Sequence, residues 1–172
     1  MELDTFIVEE DMDLGEAQDA YENYHRTAER LREKLADYRA LVENLSAKGC
    51  TAVTRQQKEK GDNLYEELKD LQQERGRMRA ALSQKTDELV VESKGLEVDL
   101  AYHSRDLHSE EEIQLAQTLL SEAMRLKEDR PVSAVEKACR ARDMLSGLLV
   151  HAVNEWIGRH KENLDGLMAD PG

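Results

Sequence analysis

The sequence predicts an all-α, elongated protein in which a long antiparallel coiled-coil hairpin continues into a three-helix bundle. Three observations lead there. Of the 172 residues 35% are charged and only 4% aromatic, with two prolines and nine glycines, a profile of long helices rather than sheets. A heptad pattern runs unbroken from Leu14 to Leu45. The stretch after it carries a second pattern that matches the first in reverse order.

Residues 1–13 form an acidic N-terminal segment, with six acids and no base around Leu3, Phe6, Ile7 and Val8. Acids interleaved with apolar residues suit a docking peptide. The expectation preferred here is that Phe6, Ile7 and Val8 cover the second helix beyond residue 86.

The hairpin is expected over residues 14–86. In its first helix the apolar positions are Leu14, Ala17, Tyr21, Tyr24, Ala28, Leu31, Leu35, Tyr38, Val42 and Leu45, with spacings of 3 and 4 in strict alternation. Lys48 and Gly49 then suit a helix end, and Thr51 or Thr54 can cap the next start. The second helix meets no proline before Pro131, and its seam reads Gly61, Leu64, Leu68, Leu71, Arg75, Met78 and Leu82. A turn near residue 50 makes facing residues sum to about 100 in an antiparallel pair. Leu35 then meets Leu64, Leu31 meets Leu68, Ala28 meets Leu71, Tyr21 meets Met78 and Ala17 meets Leu82. Gly61 falls opposite the bulky Tyr38, and Arg75 falls against Tyr24, where its guanidinium can stack on the ring.

Strict heptad spacing beyond Leu82 would bury Lys85, Glu92, Asp99 and Asp106. One additional step of four places Thr86, Leu89, Ser93, Leu96, Leu100, His103 and Leu107 in the seam instead, a stutter that turns the apolar face toward new neighbours. Those neighbours make up the bundle, residues 87–168. Ser109-Glu110-Glu111-Glu112 has the form of a capping box. It opens a helix to about Glu128, apolar over an arc wide enough for burial on two sides. Pro131 suits the first position of the fourth helix, where a missing N–H costs nothing. That helix is expected to reach Leu167, leaving 169–172 as a tail.

By length, the third helix is exhausted near residue 149. Val153, Trp156, Ile157, His160, Leu164 and Leu167 then form an apolar stripe with no partner in the chain. Such a stripe marks an interface, and Val153, Trp156, Ile157, Leu164 and Leu167 are the candidate partner-binding residues, most simply for a homodimer. A break at Gly147 or Gly158, folding the stripe back, is the alternative.

Chemistry is sparser. Glu22-x-x-His25 matches half of the motif that helical di-iron proteins project inward, but no second Glu-x-x-His occurs, and both residues fall outside the seam. Glu66 and Glu67-x-x-Asp70 resemble, over five residues, the magnesium-binding helices of all-α nucleotide pyrophosphohydrolases. The facing Glu-Glu-x-x-Glu helix of those enzymes is missing, and 37 acids in 172 residues give ~8 such i, i+3 pairs by chance. Asp99, His103 and Asp106 share one helix face at ligand-compatible spacing, but a solvated charged face is the preferred explanation. Cys50 at the basic hairpin tip lacks the second cysteine of a zinc hook. No catalytic residue, cofactor or metal ligand is therefore assigned. The net charge of −13 disfavours nucleic acid and anionic membranes, and no apolar run approaches the ~20 residues of a membrane span. Two unspaced cysteines and a start without the pattern of a signal peptide lead to the expectation of a cytoplasmic protein. The sequence thus favours a non-enzymatic helical adaptor or scaffold acting through protein contacts. An all-α metal-dependent enzyme or metal-binding bundle is the alternative.

Overall fold

A computed structural model describes residues 18–47, 53–103 and 109–169. It holds four helices, α1 (Gln18–Ala47), α2 (Arg55–Ala101), α3 (Glu110–Leu126) and α4 (Pro131–Ala169), and no strand among the described residues. The protein is all-α. It divides into two compact units, Met1–Leu82 and Ser83–Gly172, each of which takes part of α2.

In the first unit, α1 and the N-terminal part of α2 touch in reverse order. Lys34 Nζ lies 2.9 Å from Glu67 Oε2, and the Tyr38 and Tyr65 ring centroids are 6.4 Å apart. Arg79 Nη1 donates to the Tyr24 hydroxyl at 3.3 Å. Leu31, Leu68 and Leu71 form a buried cluster with Leu35 and Tyr38 packed against it. Tyr24 and Ala28 are also buried. The side chains opposite one another thus have numbers summing to slightly more than 100.

Three details depart from the expected seam. Val42 is 45% exposed, while Leu41 is half-buried and approaches Gly61. Drift of a 3.6-residue helix against a 3.5-residue repeat does not account for this change, because it brings the following residue inward rather than the preceding one. Thr27 is buried beside the seam, three residues after Tyr24 and four before Leu31. The bond at Tyr24 comes from Arg79, one turn beyond Arg75, whose buried Nη1 has no hydrogen-bond partner.

The start of α2 is a reciprocal cap. The Gln57 N–H donates to Thr54 Oγ1 at 3.2 Å, and the Thr54 N–H donates to Gln57 Oε1 at 3.0 Å. Two donors that a helix start leaves unsatisfied are thereby bonded. Lys48, Gly49, Cys50 and Thr51, like Leu14, Ala17 and the acidic segment 1–13, lie outside the described residues.

In the second unit, Thr86, Leu89, Ser93 and Leu100 are buried and Leu96 and His103 half-buried, while Glu92 and Asp99 are exposed. The burial follows the stutter. Ser93 Oγ donates to the Leu89 carbonyl at 2.7 Å, which satisfies a hydroxyl in the core without a partner from another helix. One core joins Val90 and Leu100 of α2, Ala116, Leu119 and Leu120 of α3, and Ala141 and Leu145 of α4. Ion pairs flank it: Asp87 with Lys127 at 2.9 Å, Glu122 with Lys137 at 2.8 Å, and Glu92 with Arg142 at 3.8 Å.

Helix α3 is narrower in its burial than expected. Leu115 and Met124 are exposed. At 100° per residue they sit at opposite shoulders of the stripe formed by Ala116, Leu119, Leu120 and Ala123, each about 90° from its centre. Ser109 occupies the cap position but its side chain makes no cap bond. The α3–α4 turn follows Leu126, two residues earlier than expected, with the Arg130 N–H donating to the Leu126 carbonyl at 2.7 Å. Pro131 is the first residue of α4.

Candidate contact surface

Helix α4 is built from two unlike halves. The first is a core element: Val132, Val135, Ala138, Cys139, Ala141 and Leu145 are buried, and Leu148 and Leu149 pack against the core. Ala152 is the last fully buried residue, and Val153 is half-buried. From Asn154 to Ala169 every residue is exposed except the half-buried Gly158. These 16 residues extend roughly 24 Å at 1.5 Å per residue. The helix is continuous through Gly147 and Gly158, so neither glycine folds the stripe back.

The sequence-predicted site residues lie together on this half. Trp156 is 45% exposed, Leu164 56% and Leu167 76%, and Ile157 is also exposed. Two residues belong with them. His160 lies beside Trp156, the ring centroids 4.2 Å apart at an interplanar angle of 43°. Met168, 72% exposed, widens the stripe four residues after Leu164. Its i+4 spacing from Leu164 was the available signal, hidden because Met168 is one step off the heptad line.

The charges are arranged around this stripe. At 100° per residue, Val153, Trp156, Ile157, Leu164 and Leu167 fall within about 60° of His160. Glu155, Glu162 and Asp165 fall about 140° or more away, on the opposite face. Arg159 and Lys161 flank His160 at about 100° on either side. An apolar line is thus bordered by cationic side chains whose stems can cover apolar surface, with carboxylates behind.

The residues considered for chemistry are placed differently. Glu22 and His25 are exposed; Glu22 accepts from Gln18 at 3.1 Å, and His25 Nε2 lies 3.2 Å from Glu29 Oε1. Glu67 is held by Lys34, and the hydrogen bond and charge of that carboxylate raise the lysine's pKa. Asp99 is exposed and His103 half-buried, while Asp106 lies outside the described residues. Among the described residues no group of three or more His, Cys, Asp or Glu is placed to hold a metal ion. No helix of the described residues is long and apolar enough to cross a membrane.

No protein family, curated protein or solved structure matches this chain.

Proposed function

We propose that the protein is a non-enzymatic helical scaffold or adaptor that acts through protein–protein contacts and self-associates through the end of α4. The observation that supports this reading is the exposed stripe on an unbroken helix, with Trp156, Ile157, Leu164 and Leu167 in water within the exposed segment 154–169. Contiguous apolar surface of this kind characterises interfaces. Trp156 is the anchor, since large aromatics that lose much accessible area dominate interface energetics. A two-fold homodimer is the simplest assembly because one patch serves both subunits. Nucleic acid and anionic membranes are poor partners for a chain of net charge −13. Cys139 is a buried free thiol, in keeping with a reducing, cytoplasmic setting.

Light scattering at tens of micromolar tests the reading. The unaltered chain is expected to be dimeric, and Trp156→Ala with Ile157→Ser monomeric with its helical content intact. A monomeric unaltered chain would overturn self-association.

A further inference from the structure

We propose that the stripe on α4 receives a second copy of the chain running antiparallel, with His160 on the two-fold axis, so that acid dissociates the pair. This rests on the self-association reading above and adds orientation and regulation to it.

The orientation follows from spacing. Val153, Trp156, His160, Leu164 and Leu167 are separated by 3, 4, 4 and 3 residues, a pattern that reads the same from either end. Two antiparallel helices crossing at His160 bring Trp156 of each copy to Leu164 of the other, and Val153 to Leu167. A bulky ring thus meets a medium side chain at two layers related by symmetry. A parallel pair would set Trp156 on Trp156 and Val153 on Val153, crowding one layer and leaving another underfilled. It would also align the two helix dipoles, which the antiparallel pair opposes favourably.

Area and charge both admit a second copy. With Trp156, Ile157, Leu164, Leu167 and Met168 exposed by 45, 39, 56, 76 and 72%, the face offers on the order of 600 Å² per chain, at the lower end of the roughly 600–1,000 Å² per partner of a standard interface. The chain carries −13 overall, but residues 153–169 hold three acids, Glu155, Glu162 and Asp165, against two bases, Arg159 and Lys161. Two copies can therefore meet here with little like-charge repulsion.

The regulation follows from what surrounds His160. In the single chain it is exposed, its ring 4.2 Å from that of Trp156 and tilted to it by 43°. In the pair it faces His160 of the second copy, with Arg159 and Lys161 of both copies as the nearest flanking charges. The three carboxylates of each copy lie on the opposite helix face. Two imidazolium ions would meet at the axis without an anion to offset them, in a site that the apolar layers on either side desolvate. Association therefore requires neutral imidazole, and protons compete with the second copy. Imidazoles gain their proton between pH 8 and 5, and each one that must release a proton on association costs up to about tenfold in affinity per pH unit.

Sedimentation equilibrium of the full chain at pH 7.5 and 5.5, at one ionic strength and with helical content followed by circular dichroism, tests the acid dependence. The dimer dissociation constant should rise at least tenfold at the lower pH with helicity unchanged. His160→Leu should dimerise with nearly equal affinity at both pH values. Unaltered protein that dimerises equally tightly at both, or a His160→Leu variant that keeps the full pH dependence, overturns the inference while leaving self-association standing. If the unaltered chain and His160→Leu are both monomeric at pH 7.5, the self-association reading fails with it. Orientation is tested at pH 7.5 in a Cys50→Ser, Cys139→Ala background. Mixed Val153→Cys and Leu167→Cys chains should form the mixed disulfide, and His160→Cys chains should crosslink to themselves. Self-crosslinking of Val153→Cys alone would establish a parallel pair and overturn the proposal.

Discussion

Leu41 Cδ2 lies 3.6 Å from the point at which a β-carbon on Gly61 would stand. That is ordinary van der Waals contact, so the first unit has room at this position for a methyl group. Glycine in a helix interior costs ~1 kcal/mol relative to alanine. Gly61→Ala should therefore raise stability by ~0.5–1 kcal/mol in urea unfolding. Gly95→Ala, with nothing within 4 Å of its new carbon, provides the unobstructed comparison. A destabilised Gly61→Ala beside a stabilised Gly95→Ala would mean that α1 and α2 sit closer at this layer than the structure has them.

The hydrophobic cluster of Leu31, Leu68 and Leu71 should carry much of the first unit's stability. Leu31→Ala or Leu68→Ala removes a buried side chain that its neighbours cannot fully replace, at a cost of ~2–5 kcal/mol. Replacing the exposed Glu22 and His25 together with alanine should shift the thermal midpoint little, since neither contributes to that cluster. A comparable loss from the surface pair would show that those side chains do more than interact along one helix face.

Thr54→Ala removes half of the reciprocal cap at the start of α2. The Gln57 N–H loses its acceptor at 3.2 Å, and a loss of ~1 kcal/mol is expected, as for other helix N-caps. Serine at the same position should restore most of it, because the hydroxyl is the group that accepts. An equal loss with serine would assign the effect to the threonine methyl.

How much of this was legible in the sequence depends on the length over which a pattern repeats. The α1 seam and the stutter after Leu82 were readable because each rests on several consecutive 3- and 4-residue steps, and a wrong register would have buried Glu92 and Asp99. The switch from Val42 to Leu41 was not readable, because both residues are apolar and spacing alone does not say which of them meets α2 near the end of α1. Nor was the choice of Thr54 with Gln57 as the cap, or the absence of a side-chain bond from Ser109, because capping depends on backbone angles local to the turn. For the candidate surface, Val153, Trp156, Ile157, Leu164 and Leu167 followed from counting the turns of α3 that could cover them. Met168 escaped because it lies beside the heptad line, and the closeness of His160 to the Trp156 ring depends on rotamers.

The Glu122–Lys137 pair joins α3 to α4 at 2.8 Å and gives a pH-dependent prediction. The hydrogen bond from Lys137, then its charge, lowers the pKa of the Glu122 carboxyl below its ordinary 4.5. A carboxyl that is more acidic in the folded chain stabilises the fold above the unfolded value and loses that contribution as the pH falls through the folded one. Unaltered protein should therefore unfold at a higher temperature than Glu122→Gln near pH 7. The pair is partly open to solvent, so the difference should be at most about 3 °C and should shrink as salt is added. As the pH falls through the lowered folded value the two melting curves should converge, because the protonated Glu122 is then as uncharged as the glutamine. Thermal unfolding followed by circular dichroism at pH 7, 5 and 3 would decide it. A gap that persists undiminished at pH 3 would show that Glu122 acts through packing of its stem against α4 rather than through its charge.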